Sequence, residues 1–252
     1  MADMILADAE RLDTVNEQIK IIQKKEGLTF GTDAFLLASY IKSAPKAKAV
    51  ELGAGTGIIS LLLSARKRVG HIYALEIQPD FADLAIRNVK LNEMDDTITV
   101  MCSDATKASP KDIDGEADVV FSNPPYMKTD CGKRNDHDYK YIARHEVCGT
   151  INDFCAAAYR LLKHGGKFYA VWRPDRLTDI VSAMRNNRLE PKIMTFVHAD
   201  ADTEPSMVLI SATKGGASGM KVTSPLILYG SSDRKEMSDK AKKIYDTMSF
   251  NV

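Results

Sequence analysis

Apolar and polar stretches alternate along most of the chain in a regular rhythm. Short apolar runs of strand length are separated by segments whose apolar positions recur at helical spacing. The pattern predicts seven strands, at residues 48–52, 71–76, 97–101, 117–121, 167–172, 192–197 and 207–212. It predicts helices at residues 58–67, 154–162 and 175–186, and one that begins near Pro79. Gly165 and Gly166 would cap the helix that precedes them.

Strands that alternate with helices are typical of a parallel sheet covered by helices on both faces. The last two predicted strands differ, because the connection between them, residues 198–206, is short and has no helical pattern. We therefore expect an α/β fold whose sheet of seven strands is mostly parallel and closes with an antiparallel hairpin. Residues 1–46 would form an N-terminal extension that packs on a main domain of residues 47–252, with a last helix near residues 238–248.

Composition places the chain among ordinary globular proteins and gives few hints of a partner. The chain has 252 residues, of which 44% are hydrophobic and 27% charged, and its 34 basic and 34 acidic side chains cancel. Any basic surface must therefore be local. No run reaches the ~18 apolar residues of a membrane span, and residues 1–11 lack the apolar segment of a signal peptide. We expect a cytoplasmic protein.

The cysteines do not predict a metal site. The chain has four, Cys102, Cys131, Cys148 and Cys155, and none form a C-x-x-C pair. Two of them lie near His137 and His145 in sequence, but the spacing matches no zinc pattern. Free thiols are the simpler interpretation, and no metal is expected.

A glycine-rich loop follows the first predicted strand and leads into a helix. Residues 51–57 read ELGAGTG. Glycines let a backbone approach a ligand closely, and a helix N-terminus offers free N–H groups and partial positive charge. A dinucleotide loop would read G-x-G-x-x-G, whereas Gly57 comes one residue early. The pattern resembles the S-adenosylmethionine loop of class I methyltransferases, although a glycine turn without a ligand remains the alternative.

Acidic residues at three strand ends would complete such a cofactor site. Glu51 suits the ammonium group of the cofactor, directly or through water, and Glu76 can accept both hydroxyls of an adenosine ribose. Asp104 would face the adenine amine, or else it caps the next turn. The remaining predicted cofactor contacts are Gly53, Ala54, Gly55, Gly57, Ile77, Ala105 and Asn123.

The motif Asn123-Pro124-Pro125-Tyr126 follows the fourth predicted strand and indicates the chemistry. An amine on adenine, or an amide, has a delocalised lone pair and is a poor nucleophile. Two acceptors aimed at its hydrogens, the side-chain oxygen of Asn123 and the backbone carbonyl of Pro124, would favour a pyramidal and more nucleophilic nitrogen. The prolines fix the backbone, and Tyr126 can stack on a flat group. Positioning and electrostatics would then carry the catalysis, without a general base.

Further stretches extend the resemblance over residues 12–245. Residues 30–37 (FGTDAFLL), 143–146 (ARHE), 161–166 (LLKHGG) and 172–174 (WRP) are similar to the bacterial tRNA1(Val) adenine-37 N6-methyltransferase family. The resemblance implies a Rossmann-like class I methyltransferase sheet, S-adenosylmethionine as cofactor and tRNA as substrate. It also implies that Gly31, Thr32 and Asp33 line the cofactor pocket, although Thr32 or Asp33 could instead cap a helix over residues 34–41. The target adenine would be unstacked and presented to Tyr126.

Basic residues in two segments are candidate RNA contacts. Lys24 and Lys25 lie in the N-terminal segment. The long segment of residues 127–144 supplies the others, which are Lys128, Lys133, Arg134 and Arg144. Aspartates dilute the positive charge of that segment, so a solvated loop is an equal alternative, and Arg144 could instead pair with Glu146 or Asp153.

Three other functions remain open at this stage. Protein glutamine N5-methyltransferases share the NPPY motif but carry a larger helical N-terminal domain, and only 48 residues precede the strand at Ala49. A guanine N2-methyltransferase of ribosomal RNA would use the same pocket. A nucleotide-binding module without catalysis is a third alternative, against which Asn123 and Tyr126 count.

Overall fold

The protein is built around one long mixed sheet. A computed structural model describes residues 6–26, 30–124, 149–231 and 233–250. Its strands are β1 (Glu10–Thr14), β2 (Lys20–Lys24), β3 (Ala44–Leu52), β4 (Val69–Glu76), β5 (Ile98–Cys102), β6 (Ala117–Ser122), β7 (Leu162–Trp172), β8 (Leu189–His198), β9 (Pro205–Lys214), β10 (Lys221–Val222) and β11 (Leu226–Ile227). Its helices are α1 (Thr32–Tyr40), α2 (Ile58–Ala65), α3 (Pro79–Leu91), α4 (Ile151–Leu161), α5 (Leu177–Asn186) and α6 (Asp239–Thr247).

The main sheet has the strand order β10-β8-β9-β7-β6-β3-β4-β5, and β11 also pairs with β8. Strands β3 to β7 are mutually parallel where they pair. Strand β9 runs antiparallel to both β7 and β8. The predicted parallel sheet with a closing antiparallel hairpin is thereby confirmed. The carboxyl ends of β3, β4, β5 and β6 meet at one edge, which is where ligands bind in open α/β sheets.

Helices cover both faces of the sheet, so the strands are apolar on both sides. Alternate residues of β6 show this arrangement. Val119 and Phe121 pack in the core beneath α1, α2 and α6, whereas Val120 packs in the core beneath α4 and α5. Phe121 is fully buried. The loops at the carboxyl edge are therefore mounted on a sheet that is packed from both sides.

The N-terminal hairpin β1–β2 docks on α3 through asparagine side chains. Asn88 accepts from the N–H of Ile22 at 2.6 Å, and its amide donates to the carbonyls of Ile22 and Thr56 at 3.1 and 3.0 Å. Asn92 makes the same two-way contact with the backbone of Lys20. These amides hydrogen-bond with backbone groups of β2 as a neighbouring strand would. Asn88 also connects the hairpin to the glycine loop through Thr56. The division of the chain at residue 46 stays a prediction.

The glycine pair after α4 has a different role from the one expected. Helix α4 ends at Leu161 with Leu162 as its C-cap, and Gly165 and Gly166 lie inside β7. The predicted glycine cap is therefore wrong. The pairing of β6 with β7 shifts register at this point, and a Cβ on Gly166 would come within 2.9 Å of a backbone carbonyl. The glycines permit an irregular strand entry rather than a helix end.

The predicted C-terminal helix is confirmed, whereas the cysteines and histidines considered for a zinc site lie outside the described residues. The C-terminal helix is present as α6, with the Ser238 hydroxyl accepting from a backbone N–H at its start. Cys131, Cys148, His137 and His145 are not among the described residues. Within the described ranges, no helix combines the length and the apolar character that a membrane span requires.

Candidate functional site

The glycine loop connects β3 to α2 and is fixed to the end of β4. Gly53, Gly55 and Gly57 all have positive φ, at 76°, 55° and 82°, a region that glycine adopts without a steric penalty. The N–H of Gly53 donates to the carbonyl of Leu75 at 2.9 Å. A Cβ on Gly55 would meet nothing within 4 Å. The backbone of Gly55 therefore borders open space, as a loop that receives a ligand requires.

Glu76 holds the glycine loop from the end of β4. Its side chain accepts from the N–H of Gly55 at 2.7 Å through one oxygen and from the N–H of Gln78 at 2.9 Å through the other. The residue is only 4% exposed, and this burial raises the pKa of the carboxyl, against the lowering effect of the backbone bonds. Each carboxylate oxygen can accept a second hydrogen bond. Glu76 can therefore serve the loop and two ligand hydroxyls at once.

Glu51 places a second carboxyl at the end of β3. It is 1% exposed, and its hydrogen-bond partner is the hydroxyl of Ser60 in α2. Burial raises the pKa of Glu51 to about 8. A buried carboxylate without a cation nearby is unfavourable, so a cationic ligand group would compensate it. Sequence reasoning missed Ser60, although a serine in the first turn of the helix that follows the loop was the available signal.

Asp104 follows β5 and is engaged by its own turn. One carboxylate oxygen accepts from the N–H and the hydroxyl of Thr106 at 2.9 and 2.6 Å, and the other pairs with the ammonium of Lys107 at 3.0 Å. Burial acts to raise the pKa of Asp104, but these hydrogen bonds outweigh it and the pKa is lowered. The capping role is thus present in the structure, and the contacts of Asp104 and Ala105 with an adenine stay predictions.

Asn123 is positioned by strands that lie next to the glycine loop. It follows β6 directly, and the preceding residue, Ser122, donates its hydroxyl to the carbonyl of Leu52 at 2.7 Å. The side-chain amide of Asn123 donates to Asp33 at 2.8 Å. Asn123 is thus fixed beside the end of β3, next to the glycine loop that begins there.

The first turn of α1 lies against this asparagine. The helix begins at Thr32 with Gly31 as its N-cap, and no side chain supplies a capping hydrogen bond. The interpretation of Thr32 or Asp33 as the cap is therefore wrong. Thr32 instead lies beside Tyr245, whose ring stacks on Phe35 with centroids 4.1 Å apart. Sequence reasoning missed Tyr245, since nothing in the local pattern relates α6 to α1.

The candidate RNA contacts are placed in part. The ammonium of Lys24 pairs with Asp80 at 3.0 Å and lies over the ring of Phe81, while Lys25 donates to the carbonyl of Asp8 at 2.8 Å. Both lysines thus have intramolecular partners. The other candidate RNA contacts lie outside the described residues, and they are Lys128, Lys133, Arg134 and Arg144. Two members of the NPPY motif, Pro125 and Tyr126, lie outside them as well.

The strand order, with a glycine loop after β3 and a buried acid at the end of β4, defines a class I methyltransferase fold. A protein described as a predicted O-methyltransferase from Agrobacterium tumefaciens has this fold, with a TM-score of 0.69 and 21% identity over 88% of this chain and 100% of its own. TYW2 of M. jannaschii, solved with AdoMet, has a TM-score of 0.56 and 13% identity over 83% of this chain and 87% of its own. The chain belongs to the methyltransferase small domain family, whose model matches residues 24–187.

Curated relatives are similar over most of their length. A protein of Phocaeicola vulgatus is 27% identical over 198 residues, which are 77% of this chain and 81% of the relative. One of Bacteroides fragilis is 28% identical over 197 residues, 78% and 82% respectively. Both are named tRNA1(Val) (adenine(37)-N6)-methyltransferase. Membership of the family makes this chain a methyltransferase.

Proposed function

We propose that this protein transfers a methyl group from S-adenosylmethionine to the exocyclic N6 of an adenine in tRNA. The proposed target is adenine 37, next to the anticodon of tRNA1(Val), and the proposed compartment is the cytoplasm, where tRNA works. The observation that carries the proposal is the amide of Asn123, fixed at 2.8 Å from Asp33 at the carboxyl edge of the sheet. The names of the curated relatives support the choice of substrate.

The residues present fit the donor. S-adenosylmethionine supplies an electrophilic methyl group on a sulfonium, and it carries an ammonium, a carboxylate and two ribose hydroxyls. The buried carboxyl of Glu51 suits the ammonium, and the remaining acceptor capacity of Glu76 suits the hydroxyls. The open backbone at Gly55 gives the donor room. These contacts belong to the proposal, as do those predicted for Gly31, Thr32, Gly53, Ala54, Gly57, Ile77, Asp104 and Ala105.

The chain contributes acceptors rather than a base. In the proposed reaction, the side-chain oxygen of Asn123 and the carbonyl of Pro124 accept the two hydrogens of the adenine amine. The lone pair of the nitrogen is then less delocalised into the ring and can attack the methyl carbon in line, and the carbon–sulfur bond of the donor would break so that S-adenosylhomocysteine leaves. The nitrogen becomes acidic once it is methylated, so its proton can leave to water. Catalysis thus rests on placement and on charge stabilisation, and Tyr126 would hold the base by stacking.

The test is mass spectrometry of nucleosides from tRNA treated with purified protein and methyl-labelled S-adenosylmethionine. We expect labelled N6-methyladenosine, and its position is read from nuclease fragments of tRNA1(Val). Label in N2-methylguanosine of ribosomal RNA would show that the substrate is a guanine instead. Label in glutamine of a protein would show that the substrate is a protein instead. Absence of label from every adenine would refute the proposal.

The same assay tests the role of Asn123. Asn123→Ala removes an acceptor that acts in the transition state, so kcat should fall by about 100-fold or more. The Kd for S-adenosylhomocysteine, from calorimetry, should change little. Asn187→Ala is a matched control, because Asn187 hydrogen-bonds with Asn152 and Ala183 and, among the described residues, with none of the site. Equal losses of turnover and of cofactor affinity would contradict the acceptor role.

A further inference from the structure

We propose that Asp33 is a positioning residue that determines which end of the Asn123 amide faces the substrate amine. This inference rests on the proposed function and adds a role that the resemblance does not give to Asp33. The pair joins two residues 90 positions apart, one in the first turn of α1 and one after β6, across 2.8 Å. Three observations on the described residues support it: the orientation of the amide, the space at Gly31 and the packing of the first turn of α1.

The chemistry of the pair allows one amide orientation. The oxygen and the NH2 group of an asparagine amide are similar in size, so the side chain can turn by 180° at little steric cost. The carboxylate of Asp33 can only accept hydrogen bonds. The NH2 group gains a bond to a charged acceptor when it faces Asp33, whereas the oxygen would be repelled there. A bond of this kind favours one orientation by about 10- to 100-fold.

The favoured orientation is the one that the reaction needs. The NH2 group of Asn123 faces Asp33, so its oxygen lies on the opposite branch of the amide, directed away from Asp33. An amine substrate presents hydrogens and requires an acceptor. The other orientation would set a donor against a donor and would oppose the approach of the substrate. Asp33 thereby acts on catalysis through Asn123, without a contact to the reacting atoms.

Gly31 leaves space for the carboxylate of Asp33. A Cβ added to Gly31 would lie 2.8 Å from a carboxylate oxygen of Asp33. The backbone of Gly31 is extended, with φ −122° and ψ −175°, which any residue can adopt. A side chain at position 31 would push the carboxylate of Asp33 aside, whereas the turn itself does not require glycine. Gly31 leaves that space free. It keeps the carboxylate where Asn123 meets it.

The first turn of α1 is also anchored from its other side. Burial raises the pKa of Tyr245, which lies beside Thr32, with smaller contributions from Tyr229 and Asp33. Its ring lies parallel to that of Phe35, within 7°. Tyr245 therefore stays neutral in ordinary buffers. A fixed helix turn holds Asp33 in place, so the pair does not depend on a mobile side chain alone.

A first test separates turnover from cofactor binding. Asp33→Ala should lower kcat by about 10- to 100-fold while the Kd for S-adenosylhomocysteine stays within about threefold. Asp83→Asn serves as control, since Asp83 is an acid on α3 that pairs with Arg87, and it should leave both quantities unchanged. A parallel loss of kcat and of cofactor affinity in Asp33→Ala would overturn the proposal in favour of a direct cofactor contact.

A second test exchanges the amide of Asn123 and the acid of Asp33. Asn123→Asp would set two carboxylates within hydrogen-bond distance, and such a pair retains a proton to a higher pH than either acid alone. The variant should regain activity as the pH falls, because a proton on the carboxyl at position 123 again supplies a hydrogen-bond donor to Asp33. Adding Asp33→Asn should raise kcat at pH 8 by at least about tenfold over Asn123→Asp alone. If Asp33→Asn instead lowers kcat further, the proposal is wrong.

A third measurement does not depend on the substrate. The side-chain NH2 resonance of Asn123 can be assigned in nitrogen-labelled protein by its loss in Asn123→Ala. One of its protons should be shifted downfield and exchange slowly, and both properties should disappear in Asp33→Ala. An unchanged resonance would overturn the positioning role even if some other amine proves to be the substrate. A wild-type protein that methylates no adenine would instead refute the proposed function and leave this resonance as the measure of the pair.

Discussion

Glu51 carries its carboxyl where almost no solvent reaches it. The hydroxyl of Ser60 donates a hydrogen bond to it, and the negative charge of Glu76 disfavours its ionisation further. Burial, the largest effect, raises the pKa to about 8. The carboxyl is therefore mostly protonated at neutral pH in the free protein, and a bound ammonium would ionise it.

Because Glu51 is protonated in the free protein and ionised beside a bound ammonium, the affinity for the cofactor should depend on pH. Below about pH 8 the free protein holds a proton on Glu51 that binding of a cation must release, so the affinity for S-adenosylhomocysteine should weaken as the pH falls. The Kd for S-adenosylhomocysteine should change by at most about tenfold per pH unit. Calorimetry from pH 6 to 8 in buffers of different ionisation enthalpy measures both the Kd and the proton released. Glu51→Gln should bind more weakly and show a flat profile. A slope that persists in that variant would place the titrating group elsewhere.

Local motifs were sufficient to find some site residues and not others. Glu51 and Glu76 lie at the ends of predicted strands and Asn123 comes just after one, and the carboxyl ends of parallel strands meet at one edge. Their proximity could thus be inferred from spacing alone. The bond from Asn123 to Asp33 spans 90 residues, and no periodicity reports it. For Asp104, the sequence allowed two roles; the hydrogen bond from the Thr106 hydroxyl shows the local one, and the contact with adenine stays a prediction.

At the scale of elements, the hairpin β1–β2 is the main feature that the pattern did not predict. The sequence of β1, ERLDT, has one apolar residue and no strand signature. The strand forms because β2 is held from its other side by Asn88 on α3 and by Asn92, which caps that helix, and because Glu10 pairs with Arg87. Such support comes from residues 66 or more positions away, which is beyond the reach of propensity.

We expect Asn88→Ala to destabilise this docking strongly. The change removes three hydrogen bonds and leaves the N–H of Ile22 without its acceptor in a buried place, at a cost of about 2–4 kcal/mol. Urea unfolding measures the free energy, and hydrogen exchange should show lost protection in β2. Asn92→Ala makes a useful comparison, because the Asn92 contacts to Lys20 are exposed. The docking role of Asn88 fails if its variant costs no more than that of Asn92.

At the scale of the whole molecule, charge gives the protein no general attraction to RNA. The 34 basic and 34 acidic residues cancel, and Lys24 and Lys25 already have partners within the chain. Binding of a polyanion must therefore come from a local arrangement of charge. This agrees with a substrate that is recognised through one unstacked base and its surroundings rather than through a broad basic face.

The candidate site is assembled from distant parts of the chain, so a ligand should stabilise the molecule as a unit. Asp33 comes from α1, Glu51 from β3, Glu76 from β4 and Asn123 from the end of β6, and Asn88 joins the N-terminal hairpin to the same loop. A ligand that contacts only the folded state at 100 times its Kd contributes about 2.7 kcal/mol. For a chain of this size that corresponds to about 5–10 °C in Tm.

Calorimetric melting with S-adenosylhomocysteine should therefore show one transition that moves upward as a whole, while NAD at the same concentration should leave it in place. Glu76→Ala should reduce the shift, because it removes both the loop support from Gly55 and the acceptor for the ligand hydroxyls. Two transitions, of which only one responds to the ligand, would show that the hairpin and the sheet unfold separately. A shift with NAD and none with S-adenosylhomocysteine would favour a dinucleotide-binding module over the proposed donor site.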